Sequence, residues 1–403
     1  MEESPMNKLP LDTLRQIFSS LPLRQIMICR SVCKSFNQLL TSPSFVHLIS
    51  TQLPPLRFLA LRPPHIHLHH HRHHHHHHHH HSTSPPPPPS LHVYDPDHHQ
   101  WLRFHLNFLP FRSPHPVASA GGLLYLWAES LNSPDSVHNS GTSSSSSGGS
   151  NHNSKSLVVC NPLTRQYKVL PQLGSAWSRH GAVLVDSVNR VMVLTELAAL
   201  YLSNGATARN AWHTFPANLP SKPRSPVLVW GSAFALCDVG SPWRPQWKLF
   251  TSKTDLYSLN NHNNWLCLEK QEWSDIFDII KRPRLVRGNG RNLLMIGGLK
   301  STYSLNPSCS TILILRLDLE RMEWEEAGRM PPEMYRCFQE SSKLKVFGGG
   351  DRVCFSARRV GKLALWDGGG GAGPAWRWIE GMPCAGDGLC RGFAFEASLT
   401  ALP

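Results

Sequence analysis

The chain reads as a small all-α domain followed by an all-β, kelch-like propeller, with six blades the expected number. Two observations lead there. Over the first fifty residues apolar side chains fall at helical spacing, whereas beyond residue 55 they fall in short runs punctuated by Gly, Pro, Asn and Asp. Within that second region one phrase recurs: an apolar run, then Asp or Asn, then a polar turn, then an aromatic. Its aromatics stand at Trp101, Tyr167, Trp212, Trp265, Trp324 and Trp376, 45 to 66 residues apart. A period near 50 residues is that of a kelch-type propeller blade.

The helical part opens at Pro10, which suits a first turn because its missing N–H costs nothing there. Leu14, Ile17, Phe18 and Leu21 follow at i, i+3, i+4 and i+7, one helix face. Pro22 stops this helix. A second is expected from Leu23, with Cys29, Val32, Cys33, Phe36, Leu39 and Leu40 on one stripe, ending at Ser42-Pro43. Two short helices cannot enclose a core alone, so they must bury this surface against the rest of the chain or a partner.

The stretch "LPLDTLRQIFSSLPLRQIMICRSVCKSFNQLLTSPSF" resembles an F-box, carried by Leu9, Pro10, Leu14, Ile17, Leu21, Pro22, Leu23, Arg30, Val32, Cys33 and Lys34. Phe36 stands where the family usually has tryptophan. The resemblance implies that residues 1–50 dock on the Skp-type linker of cullin-RING ubiquitin ligases, with Leu9, Pro10, Leu14, Ile17, Leu21 and Pro22 in contact. An acidic linker suits a chain of net charge +13.

The remainder, residues 51–403, is organised by its hairpins. "HVYDPDHHQWLRF" carries Asp95 and Trp101, "VVCNPLTRQYKVL" Asn161 and Tyr167, and "LRLDLERMEWEEA" Asp318 and Trp324. Looser copies carry Trp212 and Trp265, and a sixth carries Asp367 and Trp376 across a glycine-rich turn. Each reads as two strands joined by an Asx turn, with the aromatic packed between neighbouring sheets. Glycine-led strands ("GGLLYLW", "GSAFALC", "LLMIGGL", "LKVFGGG") suggest the tight centre of the ring, and a last strand near Phe393–Leu399 is expected to close the first blade. Two segments, 62–90 and 129–156, interrupt the first and second blades. Their composition predicts solvated, disordered insertions. "CNPLTRQYKVLP", "GRMPPEMYRCF" and "GFAFEASLTALP" are similar to phrases of plant F-box/kelch-repeat proteins, including floral-organ and leaf-development members.

Little chemistry is legible. G-x-S-x-G, the P-loop and H-E-x-x-H are absent, and "GGGGAG" (368–373) lacks a βαβ setting. A copper-oxidase propeller needs Tyr, Cys and two His on its axis, but His180, His213 and His262 read as isolated in loops or turns. Fourteen of the 25 histidines lie between His65 and His81. Consecutive imidazoles bind metals weakly, because selectivity needs groups that orient each ring. The ten scattered cysteines read as small core residues. "KRPRLVRGNGR" (281–291) reads as a solvated inter-blade loop, with a nuclear-import signal or a patch for an acidic partner the alternatives, and "WSDIFDII" as blade-packing surface rather than a docking helix.

No segment reaches the roughly 18 apolar residues of a membrane span, and the polar start lacks a secretory apolar run. A nuclear or cytoplasmic location is expected. The positive charge favours acidic partners. The expected function is non-catalytic: substrate recognition for an SCF-type ubiquitin ligase, with partners a Skp-type linker, through it cullin, and an unknown protein substrate. No cofactor, metal, nucleic acid or membrane enters this reading. The alternative is a non-degradative scaffold for a regulatory protein such as a transcription factor.

Overall fold

The computed structural model describes residues 9–49, 54–62, 88–130, 155–186, 188–202, 211–253, 265–300, 309–341, 343–369, 375–383 and 388–403. Both expected insertions lie almost wholly outside these residues.

Four short helices open the chain: α1 (Leu11–Ser19), α2 (Leu23–Cys29), α3 (Lys34–Thr41) and α4 (Pro43–Ile49). Asp12 in the first turn of α1 sits at the positive end of the helix dipole. Leu14 and Phe18, one turn apart, are the buried residues of α1, and Phe18 meets the edge of Phe36 at 4.9 Å between ring centroids. The single second helix expected from Leu23 is two helices. Ser31, Val32 and Cys33 are poor helix formers, and Cys33 turns extended (φ −154°, ψ 165°) so that its Sγ accepts from Phe36 N at 3.4 Å. This break aims Phe36, Leu39 and Leu40 at the core that Leu23 and Ile26 enter, and leaves Val32 exposed. Ser42-Pro43 likewise starts a helix: Pro43 is its first residue, and Phe45 N donates to Ser42 Oγ at 3.4 Å.

Six four-stranded antiparallel sheets follow. The first holds β1 (Leu56–Arg62), β2 (Ser90–Asp95) and β3 (Gln100–His105). The second holds β4 (Phe111–Ala120), β5 (Leu123–Ser130), β6 (Lys155–Asn161) and β7 (Gln166–Val169). After α5 (Ser175–His180) the third comprises β8 (Ala182–Val185), β9 (Val191–Leu194), β10 (Ala198–Leu202) and β11 (Trp212–Pro216). The fourth has β12 (Arg224–Val229), β13 (Ser232–Asp238), β14 (Trp247–Lys253) and β15 (Leu266–Leu268). Following α6 (Ser274–Ile279), the fifth has β16 (Ile280–Arg287), β17 (Asn292–Lys300), β18 (Cys309–Asp318) and β19 (Glu323–Arg329). After α7 (Pro332–Gln339), β20 (Leu344–Gly349), β21 (Arg352–Ala357), β22 (Leu363–Asp367) and β23 (Ala375–Ile379) form the sixth.

The last strand, β24 (Arg391–Ala397), pairs with β1 from Leu56↔Ala397 to Arg62↔Arg391 and so completes the first sheet. Its sheet order is β24-β1-β2-β3, so the chain's end supplies the innermost strand. Around the axis β24, β4, β8, β12, β16 and β20 neighbour one another in turn and return to β24. The ring is a closed six-bladed propeller, which buries most sheet edges.

The repeated phrase lies where the sequence placed it. Trp101, Tyr167, Trp212, Trp324 and Trp376 stand on the outermost strands and Trp265 directly before β15. Trp101 Nε1 donates to Glu380 O, next to the sixth blade, at 2.9 Å, and Trp212 Nε1 to Pro171 O at 2.8 Å. The Asx turns are present: Asp95, Asn161 and Asp318 each accept through Oδ1 from the amide two residues on, at 3.0, 2.9 and 2.8 Å.

Two assignments differ. The glycine-led strands "GGLLYLW", "GSAFALC" and "LLMIGGL" are β5, β13 and β17, second from the axis; their glycines mostly serve the turns that enter them. Gly122 (φ +84°) shows why: a Cβ there would meet Ala401 Cβ at 2.7 Å. "KRPRLVRGNGR" is no loop, because Lys281 to Arg287 belong to the innermost strand β16. Proline disguised it. An innermost strand has one free edge, where proline is tolerated, and Ser113-Pro114, Ser225-Pro226 and Arg282-Pro283 mark β4, β12 and β16. In each the residue before proline has positive φ (46°, 46° and 53°), and the register with the second strand shifts. These are bulges.

The helices pack on one end of the propeller. Leu23, Ile26, Leu40 and Phe45 share a hydrophobic cluster with Phe58, Leu91, Leu124 and Val158. Arg24 pairs with Asp95 at 2.6 Å, and Arg30 Nη1 donates to Leu163 O at 3.0 Å. Asp95 ends β2 and Leu163 lies just beyond β6, on the side where the innermost strands finish. The helices therefore sit against the first and second blades at that end of the propeller, the near end.

Candidate functional site

Two surfaces can engage partners: the exposed side of the four helices and the far end of the propeller channel. Of the expected linker contacts, Leu9, Pro10, Ile17 and Pro22 are exposed. Leu21 is half-buried and packs against the shared cluster. Leu14 is different: at 7% exposure it belongs to the cluster that holds the helices together, so its first role is packing. The helical period places Leu14, Ile17, Phe18 and Leu21 on one stripe, but α1 ends at Ser19 and its buried centre lies between Leu14 and Phe18. Ile17 flanks that stripe on one side and Leu11, 53% exposed, on the other. Ile28 on α2 and Val32 just after it are also exposed, at 50% and 65%. Leu11, Ile28 and Val32 are apolar positions that a partner could cover; the signal for Leu11 and Ile28 was an apolar residue just outside the buried spacing.

The propeller axis is a channel of about 1140 Å³ walled by the innermost strands. Its two mouths differ in charge. At the near mouth cations and carboxylates alternate: Arg57–Glu396 at 3.8 Å, Arg352–Asp367 at 3.0 Å and Arg316–Asp351 at 3.9 Å. At the far mouth, where the innermost strands begin, Arg62, Arg284, Lys345 and Arg391 line the wall. Burial, and then the neighbouring Arg391, pushes the Arg62 guanidinium down to about 10. Burial followed by Arg224, Arg391 and Arg282 does the same to Arg284. Arg62 also donates to Val117 O and lies 5.7 Å over the Phe393 ring.

The segments bordered by Arg62 and Ser90, and by Glu129 and Lys155, leave the propeller on this far side, since Arg62 faces Arg391 and Glu129 faces Arg112 across the sheets. The long histidine run of residues 65–81 lies outside the described residues, as does His262. His180 ends α5 and His213 lies on β11, both exposed. Gly368 and Gly369 follow β22 at a hairpin turn; the rest of that glycine run lies outside the described residues. "WSDIFDII" packs as expected: Trp273 and Ile280 are buried, and Ile276 and Phe277 lie against the same cluster. Cys160, Cys237, Cys354 and Cys390 are buried in blade cores, while Cys33 and Cys337 are exposed. No group of three metal-ligating side chains occurs among the described residues. No helix among them is long and apolar enough to cross a membrane.

Comparison with known proteins agrees with this layout. The F-box domain family matches residues 6–48. SKP1-interacting partner 15 of Arabidopsis thaliana is 67% identical over 404 residues, spanning all of both chains. Protein UNUSUAL FLORAL ORGANS of the same plant is 21% identical over 424 residues, covering 98% of this chain and 85% of that protein. Among solved structures, a Lactobacillus plantarum protein aligns at TM-score 0.40 with 13% identity, over 81% of this chain and 82% of its own. The β-propeller domain of the Pyrococcus furiosus Trilobed protease aligns at 0.39 with 10% identity, over 77% and 87%.

Proposed function

The chain belongs to the plant F-box family that includes SKP1-interacting partner 15, and from that premise we propose that it is the substrate-recognition adaptor of an SCF-type ubiquitin ligase. The rim of Leu9, Pro10, Leu11, Ile17 and Pro22 docks on a Skp-type linker, and through it the chain meets cullin. The far face of the propeller holds the protein to be ubiquitinated. Trp243, 95% exposed on the turn between β13 and β14, belongs to that face.

The observation that supports this division is the packing of the helices on the near end. Arg24–Asp95 and the shared apolar cluster fix the orientation of the propeller relative to the linker surface. A target held on the far face then stays at high effective concentration near the conjugating enzyme. This mechanism is positional and asks no bond chemistry of the chain. Its place of action is the nucleus or cytoplasm.

The test uses Ile17→Asp in the full chain as a trap. Expressed where proteasomal turnover is blocked, wild type and I17D should retain the same target, while only wild type co-purifies linker and cullin. With turnover restored, the target should accumulate in I17D cells. A target whose abundance does not respond to I17D would place the chain among non-degradative scaffolds.

A further inference from the structure

The far mouth of the channel concentrates cations from five different strands. Arg62 comes from β1, Arg224 from β12, Arg284 from β16, Lys345 from β20 and Arg391 from β24, with Arg282 beside them at the β16 bulge. Among the described residues none of these six side chains has a carboxylate within ion-pair distance. Of Arg62, Arg224, Arg284 and Lys345, which burial lowers, Arg224 alone is also acted on by an acid, Asp238. Arg62 Nε is buried without an acceptor. Burial and then the surrounding guanidiniums lower Lys345 as well, and burial followed by Arg282 lowers Arg224.

At the near mouth of the same channel Arg57, Arg316 and Arg352 each face a carboxylate, so the greater excess of unpaired cations lies at the far end of the ring. Partly buried like charges such as Arg62, Arg224, Arg284 and Lys345 oppose folding, and the chain keeps them together. Sequence repetition contributes: Arg224-Ser225-Pro226 and Lys281-Arg282-Pro283 place a cationic residue at the bulge opening two innermost strands.

We propose that this far mouth is a binding site for a compact polyanion carrying two or more phosphate groups. Guanidinium forks accept phosphate oxygens in pairs, and a cleft of one sign with low-dielectric walls concentrates such ligands. The site is concave and enclosed by the ring, which suits a compact cluster of phosphates over an extended backbone. Such a cluster occurs on free small molecules and on multiply phosphorylated segments of a partner protein.

The experiment titrates the full chain with tripolyphosphate, and separately with a doubly phosphorylated peptide and its unphosphorylated form. It is run by calorimetry at constant ionic strength and pH 8, where histidines are neutral. Saturable binding is expected, weakened about ten-fold or more in Arg284→Gln and in Arg391→Gln, and unchanged in Arg57→Gln at the opposite mouth. Without ligand, the Arg284→Gln and Arg391→Gln proteins should melt no lower than wild type, since each removes like-charge repulsion. Preference for tripolyphosphate supports the site with a free ligand; preference for the phosphopeptide supports it with a partner segment. Absence of saturable binding by both, or binding that Arg284→Gln and Arg391→Gln leave unchanged, overturns the proposal. Ile17→Asp, at the other end of the molecule, should bind the anion normally, so failure here is distinct from failure of the adaptor reading.

Discussion

Nη1 of Arg24 lies 2.6 Å from Oδ2 of Asp95, a carboxylate with 4% of its side chain exposed. One residue thus performs two tasks. Asp95 Oδ1 closes the first blade's Asx turn through the amides of Asp97 and His98, and Oδ2 anchors the second helix of the F-box. Arg24→Ala should destabilise the protein by about 2 kcal/mol, because a buried carboxylate loses its guanidinium partner but keeps its amide donors and the His98 Nδ1 that lies 2.9 Å from Oδ2. Asp95→Ala should cost more, since the turn is lost too. Denaturant unfolding of the two variants reads this; equal costs would refute the double role.

Ring closure rests on a comparable device. Asn161, fully buried, accepts from Leu163 N and donates through Nδ2 to Ser398 O at 2.9 Å and Ala401 O at 2.8 Å. The second-blade turn thereby clamps the chain's end behind β24. Asn161→Ala should cost about 2–3 kcal/mol and raise amide exchange along Phe393–Ala397. Asn161→Asp, which keeps the turn but loses the donor, should show most of the exchange effect.

Alkaline pH should weaken the fold through its buried thiols. Burial pushes the Cys160 thiol up to about 12 and the Cys237 thiol up to about 11, whereas an unfolded thiol titrates near 8.5. A raised folded value means that the stabilisation is complete below about pH 8.5 and is lost as pH climbs towards 11–12. Unfolding free energy at pH 9.5 should therefore fall below that at pH 7.5, by about 1 kcal/mol per buried thiol. In Cys160→Ala the drop should shrink.

The outer parts of this fold were more legible than its centre. The recurring aromatics and the Asx turns at Asp95, Asn161 and Asp318 are local signals, set by turn chemistry and strand spacing, and they gave the blade number. The innermost strands were not legible in the same way. β16 carries Lys281, Arg282, Arg284 and Arg287 because it borders the axial channel instead of a packed core, and a Pro at its bulge imitates a loop. The basic-residue–Ser/Arg–Pro step shared by β4, β12 and β16 was the available clue. On the F-box, helical spacing placed Leu14 and Ile17 on one face, but packing against Phe36 and the propeller decided which of them stays exposed.

The central claim is that an exposed apolar rim on α1 docks a Skp-type linker. The direct measurement is the affinity of purified linker protein for wild type, Ile17→Asp and Leu11→Asp, with melting temperatures recorded alongside. Wild type should form a one-to-one complex, and both variants should bind at least about ten-fold more weakly while melting within a degree or two of wild type. A wild-type protein that forms no complex, or variants that bind the linker as wild type does, would contradict the account.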